Sequence, residues 1–85
     1  MSKILAFTSK DCVACEMSKP IIARAAKARG VEIIEKDPVD DPALAQRYEV
    51  NVLPTFVLIK DNEACAEVHG YVNEDTARRF VAMSV

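Results

Sequence analysis

No run of basic residues occurs in this chain, and its 11 lysines and arginines are outnumbered by 13 aspartates and glutamates. With a formal charge of −2 it lacks the electrostatic footprint of a nucleic-acid-binding protein, so no nucleic acid is expected as a partner. No apolar stretch approaches the roughly 20 residues that span a bilayer, so no membrane is expected either. Met1 to Phe7 is too short for a signal peptide and leads straight into a strand-like run. Repeats, linkers and low-complexity segments are also missing, which leaves one domain over residues 1–85. Cysteines are few, and their number, three, is odd. A disulfide-stapled secreted domain would pair them all, so a reducing, cytoplasmic setting fits better. Nothing in the composition calls for a second subunit, and a monomer is expected. Apolar residues make up 51% of the chain, enough for one core. A chain this short still buries only roughly 60–65% of its extended surface.

The chemistry is concentrated in Lys10-Asp11-Cys12-Val13-Ala14-Cys15-Glu16-Met17-Ser18-Lys19-Pro20. The apolar run Ile4-Leu5-Ala6-Phe7-Thr8 precedes it and a helical pattern follows. A strand thus delivers a Cys-x-x-Cys pair to the start of a helix. Backbone N–H groups there lack intrahelical partners and the dipole is positive, so a thiolate is stabilised. Helical geometry sets the two Cα atoms roughly 5 Å apart, within reach of a disulfide. Cys12, the outer residue, can attack a disulfide, and Cys15, one turn deeper, can resolve the mixed intermediate. Lys10 favours the thiolate and Asp11 opposes it.

The remaining elements follow from local signals. The first helix is expected over Cys12–Arg29, with Cys15, Ser18, Ile22, Ala25 and Arg29 at helical spacing. Ile21, Ala26 and Ala28 widen the buried side, and Gly30 stops the helix. Pro20 inside it removes a hydrogen bond from the Glu16 carbonyl and predicts a kink. Val31–Lys36 reads as a strand. Asp41 is a candidate N-cap with Pro42 at the first helical position, opening a short helix that carries Leu44 and Tyr48 on one face. Thr55-Phe56-Val57-Leu58-Ile59-Lys60 is the strongest strand. Asp61-Asn62 is a turn, and Ala64–His69 reads as the second arm of a hairpin. Asn73 caps a last helix through Met83, with Val72 and Ala77 as its staple and Ala77, Phe80 and Val81 as its buried stripe. The order is βαβαββα: an α/β domain with a four-stranded mixed sheet and three helices.

Here the sequence resembles the thioredoxin family, nearly end to end. Cys12 to Pro20 looks like the family's active-site helix, including a proline five residues after the second cysteine. Asp37 looks like the acid closing the next strand. Val52-Leu53-Pro54-Thr55-Phe56 looks like the cis-proline loop, Lys60-Asp61-Asn62-Glu63 like the hairpin turn, and Gly70 like the glycine facing the active site. The family's first strand and helix have no counterpart, so the resemblance is to a minimal, glutaredoxin-sized member. It implies a protein disulfide reductase, an electron carrier whose only redox group is the Cys12–Cys15 disulfide, with no other cofactor and no metal. It also implies a cis bond at Pro54, lifting the Leu53 backbone toward the cysteines where it can pair with an extended substrate chain. Gly70 would allow close approach from the other side, with Val13, Ala14, Leu53 and Tyr71 as an apolar rim. Three positions depart from the family pattern: Asp11 replaces an aromatic residue, Val13-Ala14 replaces Gly-Pro, and Ala6 replaces a buried acid. Glutaredoxins hold glutathione with paired glycines followed by an acid, whereas only Gly70-Tyr71 stands here. The implied electron donor is therefore a flavin-dependent reductase of the thioredoxin-reductase type, and the implied targets are proteins with disulfides.

Three other readings compete. One is a glutaredoxin-like reductase that uses glutathione. Another is a redox-silent scaffold that binds a partner through the same surface. The third is a zinc site built from Cys12, Cys15, Cys65 and His69. On one strand residues 65 and 69 lie about 13 Å apart, too far to share an ion. In a helix they would be neighbours. The two remaining aspartates of note, Asp37 and Asp41, read as turn and capping groups.

Overall fold

The strand Thr55–Lys60 is apolar on both sides of its pleat, so it requires cover on two faces. In the computed structural model, which describes residues 1–84, it receives that cover. The elements run β1 (Ser2–Phe7), α1 (Val13–Ala28), β2 (Glu32–Lys36), α2 (Pro42–Arg47), β3 (Thr55–Lys60), β4 (Glu63–His69) and α3 (Glu74–Ala82). The sheet order is β2-β1-β3-β4. β1 pairs with β2 in parallel and with β3 antiparallel, and β3 and β4 form an antiparallel hairpin. The expected βαβαββα order and mixed four-stranded sheet are both present.

Side chains alternate across each strand, and this splits the core in two. Ile4 and Ala6 of β1 and Phe56 and Leu58 of β3 meet Ile22 and Ala26 of α1 and Ala77, Phe80 and Val81 of α3. Leu5 and Phe7 of β1 and Val57 and Ile59 of β3 point the other way and meet Ala45 of α2, with Tyr48, Val50 and Leu53 at the edge. The result is a layered molecule, with α1 and α3 on one face of the sheet and α2 on the other.

Helix ends follow their capping chemistry. The Asp41 carboxylate accepts from the Leu44 N–H at 3.2 Å, and the Asn73 side chain accepts from Thr76 at 2.8 Å. Gly30, at φ +67°, closes α1 with bonds from Gly30 N–H to the Lys27 carbonyl and from Val31 N–H to that of Ala26. The same pattern closes α2, but there a glutamate, Glu49, takes the left-handed position at φ +52°. The hairpin turn holds Asp61 and Asn62 at φ +52° and +69°, the backbone twist that a two-residue loop needs.

Some expected details are corrected. Cys12 is the N-cap of α1 rather than its first helical residue, and the helix ends at Ala28. Ala28 and Arg29 are exposed, and Ala26 is the buried residue near the end. The buried line Cys15, Ser18, Ile22, Ala26 steps by three, four and four residues, which a helix of 3.6 residues per turn keeps on one side. As expected, Pro20 lies inside α1, which is helical on both sides of it. Pro20 and Glu16 lie on the exposed side, where water can take up the freed carbonyl. β2 begins at Glu32 and β4 at Glu63, each one residue from the expected start. The hairpin contains a shift that sequence reading did not anticipate. Leu58 opposes Ala66 and Ile59 opposes Ala64, so Cys65 is an extra, unmatched residue in β4.

Candidate active site

Topology carries three distant segments to one end of the sheet. Phe7, the last residue of β1, lies opposite Thr55, the first of β3, and Thr55 in turn lies opposite His69, the last of β4. The loop that follows β1, the Pro54 segment and Gly70 are therefore neighbours across the same edge.

Past β1 the chain turns at Asp11, in the left-handed region at φ +58°, and this sets Cys12 in an extended N-cap conformation. The Cys12 sulfur accepts a hydrogen bond from the Cys15 N–H at 3.1 Å. The cap role that serine or aspartate usually fills is thus played by a cysteine sulfur, against the positive end of α1. The two cysteines are disulfide-bonded, with Cα atoms 5.2 Å apart. Cys12 is half-buried, while Cys15 is 1% exposed. The outer sulfur is the one a partner can reach.

Pro54 is buried and its bond to Leu53 is cis. The Thr55 hydroxyl donates to the Val52 carbonyl at 2.8 Å, and the Gly70 N–H donates to the Pro54 carbonyl at 2.7 Å. Gly70 sits at φ +90°, a backbone that glycine adopts without cost. One link here escaped sequence reading. Ser18 is fully buried, and its hydroxyl accepts from the Val72 N–H at 3.2 Å. That bond ties the segment after Gly70 to α1 one turn beyond Cys15. Its only sequence signal is a polar residue on the buried stripe of a helix.

The expected rim is partly redrawn. Val13 and Tyr71 are exposed, at 71% and 51%, and Ala14 is half-buried. Leu53 instead packs its side chain against the second core, and its neighbour Val52 is the exposed apolar residue. Met17, one turn after Val13 on α1, is also exposed. Helical spacing from Val13 was the signal that could have found it.

Beside the site, Glu35 of β2 joins two segments. It accepts from the Thr8 hydroxyl at 3.2 Å and pairs with Lys19 Nζ at 2.8 Å. The Lys19 hydrogen bond is the main reason its carboxyl lies below the ordinary range, and partial burial opposes the shift. Glu35 and Lys19 flank a cavity of about 390 Å³ that reaches Ala6, Ile22 and Ile33. His69 stands at the same end of the sheet, with its ring nitrogens 3.2 Å from Thr55 Oγ1 and 3.1 Å from Glu67. Cys65 is exposed on β4. Among the described residues no group of three or more His, Cys, Asp or Glu side chains is placed to hold a metal ion.

A mixed sheet whose first parallel strand hands a disulfide to a helix N-terminus, opposite a proline loop, defines a dithiol domain of thioredoxin fold. Sequence comparison agrees: the family model described as Thioredoxin matches residues 2–83. An H-type thioredoxin from Oryza sativa subsp. indica is 32% identical over 79 residues, covering 92% of this chain and 65% of the relative. A Chlamydia caviae thioredoxin is 29% identical, with 92% of this chain and 78% of the relative covered. Among solved structures, a mutant thioredoxin from Halobacterium salinarum superposes with a TM-score of 0.87 at 28% identity, covering 98% of this chain and 74% of that one. The chain belongs to the thioredoxin family. It spans 40% to 65% of the length of four curated plant relatives that it matches.

Proposed function

We propose that the chain is a thiol–disulfide oxidoreductase that reduces disulfides in target proteins and cycles through its own Cys12–Cys15 disulfide. The observation that carries this reading is the position of the Cys12 sulfur, which caps a helix N-terminus, accepts the Cys15 N–H and is bonded to a buried second sulfur. In the reduced protein the Cys12 thiolate attacks a target disulfide and forms a mixed disulfide, releasing one target thiolate. Cys15 then gives up its proton and attacks Cys12, freeing the second target thiolate and restoring the pair. Electrons reside in the sulfurs, so no prosthetic group enters this cycle. Val13, Ala14, Tyr71 and the backbone at Leu53, Pro54 and Gly70 form the surface that receives the target.

Two finer points belong to the same reading. The donor is a flavin-dependent reductase, because Gly70-Tyr71 lacks the second glycine and the acid that would hold glutathione. The working compartment is reducing and cytoplasmic, which fits an exposed, unpaired Cys65.

Insulin reduction with and without each variant tests the assignment. Cys12→Ser should abolish turnover and capture nothing. Cys15→Ser should accumulate covalent target complexes on a non-reducing gel. Cys65→Ser should leave turnover within about twofold, since by this reading the second thiol of the cycle is Cys15. Trapping by Cys12→Ser and not by Cys15→Ser would reverse the roles. Efficient turnover with glutathione alone would move the protein to the glutaredoxin side, and inactivity with every donor would favour a redox-silent scaffold.

A further inference from the structure

The sheet has two outer strands, and they differ. β4 is interrupted by the extra residue at Cys65, a device that bends an edge and discourages pairing. β2 has a regular register along its whole length, and among the described residues no strand pairs with its second side. The Thr8 N–H donates to the Lys36 carbonyl, so the backbone groups of Lys36, and by alternation those of Ile34 and Glu32, face β1. The N–H and C=O groups of Ile33 and Glu35 therefore face outward. Ile33 and Ile34 are only half-buried, one packed against each core, so the edge is apolar and open on both faces. Glu32 and Lys36 stand on the same face as Ile34, one at each end. Among the described residues neither takes part in an ion pair.

We propose that the free edge of β2 is a contact between two copies of this chain, paired antiparallel about Ile34. That register is self-complementary, as a two-fold interface must be. Ile33 of each copy exchanges both backbone hydrogen bonds with Glu35 of the other, using the groups that face outward. Ile34 meets Ile34 across the two-fold axis. Glu32 of each copy stands opposite Lys36 of the other, on the α2 face. A charged edge discourages pairing with an arbitrary strand, and a parallel copy would set Glu32 against Glu32. The antiparallel copy alone turns both charges into attractive pairs. Glu35 keeps Lys19 as its partner on the α1 face. The contact uses no residue assigned to the redox cycle.

Sedimentation equilibrium of the reduced protein, from micromolar to millimolar concentration, tests the contact; reduction removes any dimer linked through Cys65. The wild type should show a monomer–dimer equilibrium that weakens with added salt. Glu32→Lys and Lys36→Glu should each raise the dissociation constant on the order of tenfold, since each turns two attractive pairs repulsive. The double variant Glu32→Lys/Lys36→Glu should restore wild-type association, because it exchanges the two charges. Melting midpoints matching the wild type would show that the single variants are folded. Were one of them to unfold, the salt dependence and the double variant would still decide. A wild type that stays monomeric to millimolar concentration overturns the proposal. So does a dimer indifferent to both single reversals, or a double variant as weak as either one.

Discussion

Ser18 shows how much can rest on one hydroxyl. It is buried, and it is the acceptor for the Val72 N–H, a donor on a segment 54 residues away. Ser18→Ala leaves that N–H buried without a partner, which should cost about 1–3 kcal/mol. The loss should also loosen the Gly70–Val72 segment. Equilibrium unfolding measures the first effect. Faster amide exchange at Val72, with little change at Asn73 and beyond, would report the second. A variant as stable as the wild type would mean that water or another group replaces the hydroxyl. The Cys12–Cys15 pair could be read from sequence because its geometry is set by residues three apart. The Ser18 bond could not, because the donor comes from the other half of the chain. The place of the Leu53 side chain is hidden from sequence for a related reason: it packs against a core cluster that β1, β3 and Ala45 build together.

Among the elements, α2 carries an unfavourable terminus. Glu49 takes the left-handed position that a glycine fills at the end of α1. A side chain there costs roughly 1–2 kcal/mol, offset in part by the greater chain entropy that glycine must lose. Glu49→Gly should raise stability by about 0.5–1 kcal/mol, read as a higher denaturant midpoint with an unchanged slope. A fall in stability would show that the glutamate side chain makes a contact worth more than its backbone strain. The link between α1 and β2 predicts a dependence on pH. Glu35 is held below the ordinary carboxyl range mainly by Lys19, so the folded state binds fewer protons than the unfolded state. The stabilisation is full above the ordinary carboxyl range and is lost as pH falls through the lowered folded value. Both side chains are about half exposed, at 45% and 52%, so solvent screens the pair. Lys19→Met should therefore cost at most about 1 kcal/mol at neutral pH and nearly nothing in acid. An equal cost at both would assign the effect to packing.

On the scale of the whole molecule, a chain this size has roughly 4–13 kcal/mol of stability, at the usual 0.05–0.15 kcal/mol per residue. Leu58 is fully buried in the centre of β3, so Leu58→Ala should cost about 2–5 kcal/mol. That is a large share of the total, and the melting midpoint should fall steeply. A small shift would mean that α1 and α3 close over the vacated space. The architecture was legible from sequence because each strand and helix carries its own period and its own cap, as at Asp41 and Asn73. The unmatched residue at Cys65 was not legible, because it is a property of two strands counted against each other.

The order of synthesis meets the order of the sheet at β1. Cys12 and Cys15 leave the ribosome at the start of α1, ahead of β3 and of Cys65. β3, which β1 needs on its other side, follows about fifty residues after β1 has been made. Until it arrives, the nascent chain presents two thiols and no finished sheet to shelter the inner one. Oxidation in that interval is harmless to connectivity, because Cys12 and Cys15 are each other's nearest sulfur and Cys65 has yet to be made. A later oxidant would find three thiols on an unfolded chain and could join the wrong two. Because Cys12 and Cys15 are made before both Cys65 and the strand that completes their support, a growing chain meets fewer wrong pairings than a full-length chain refolding with all three thiols exposed.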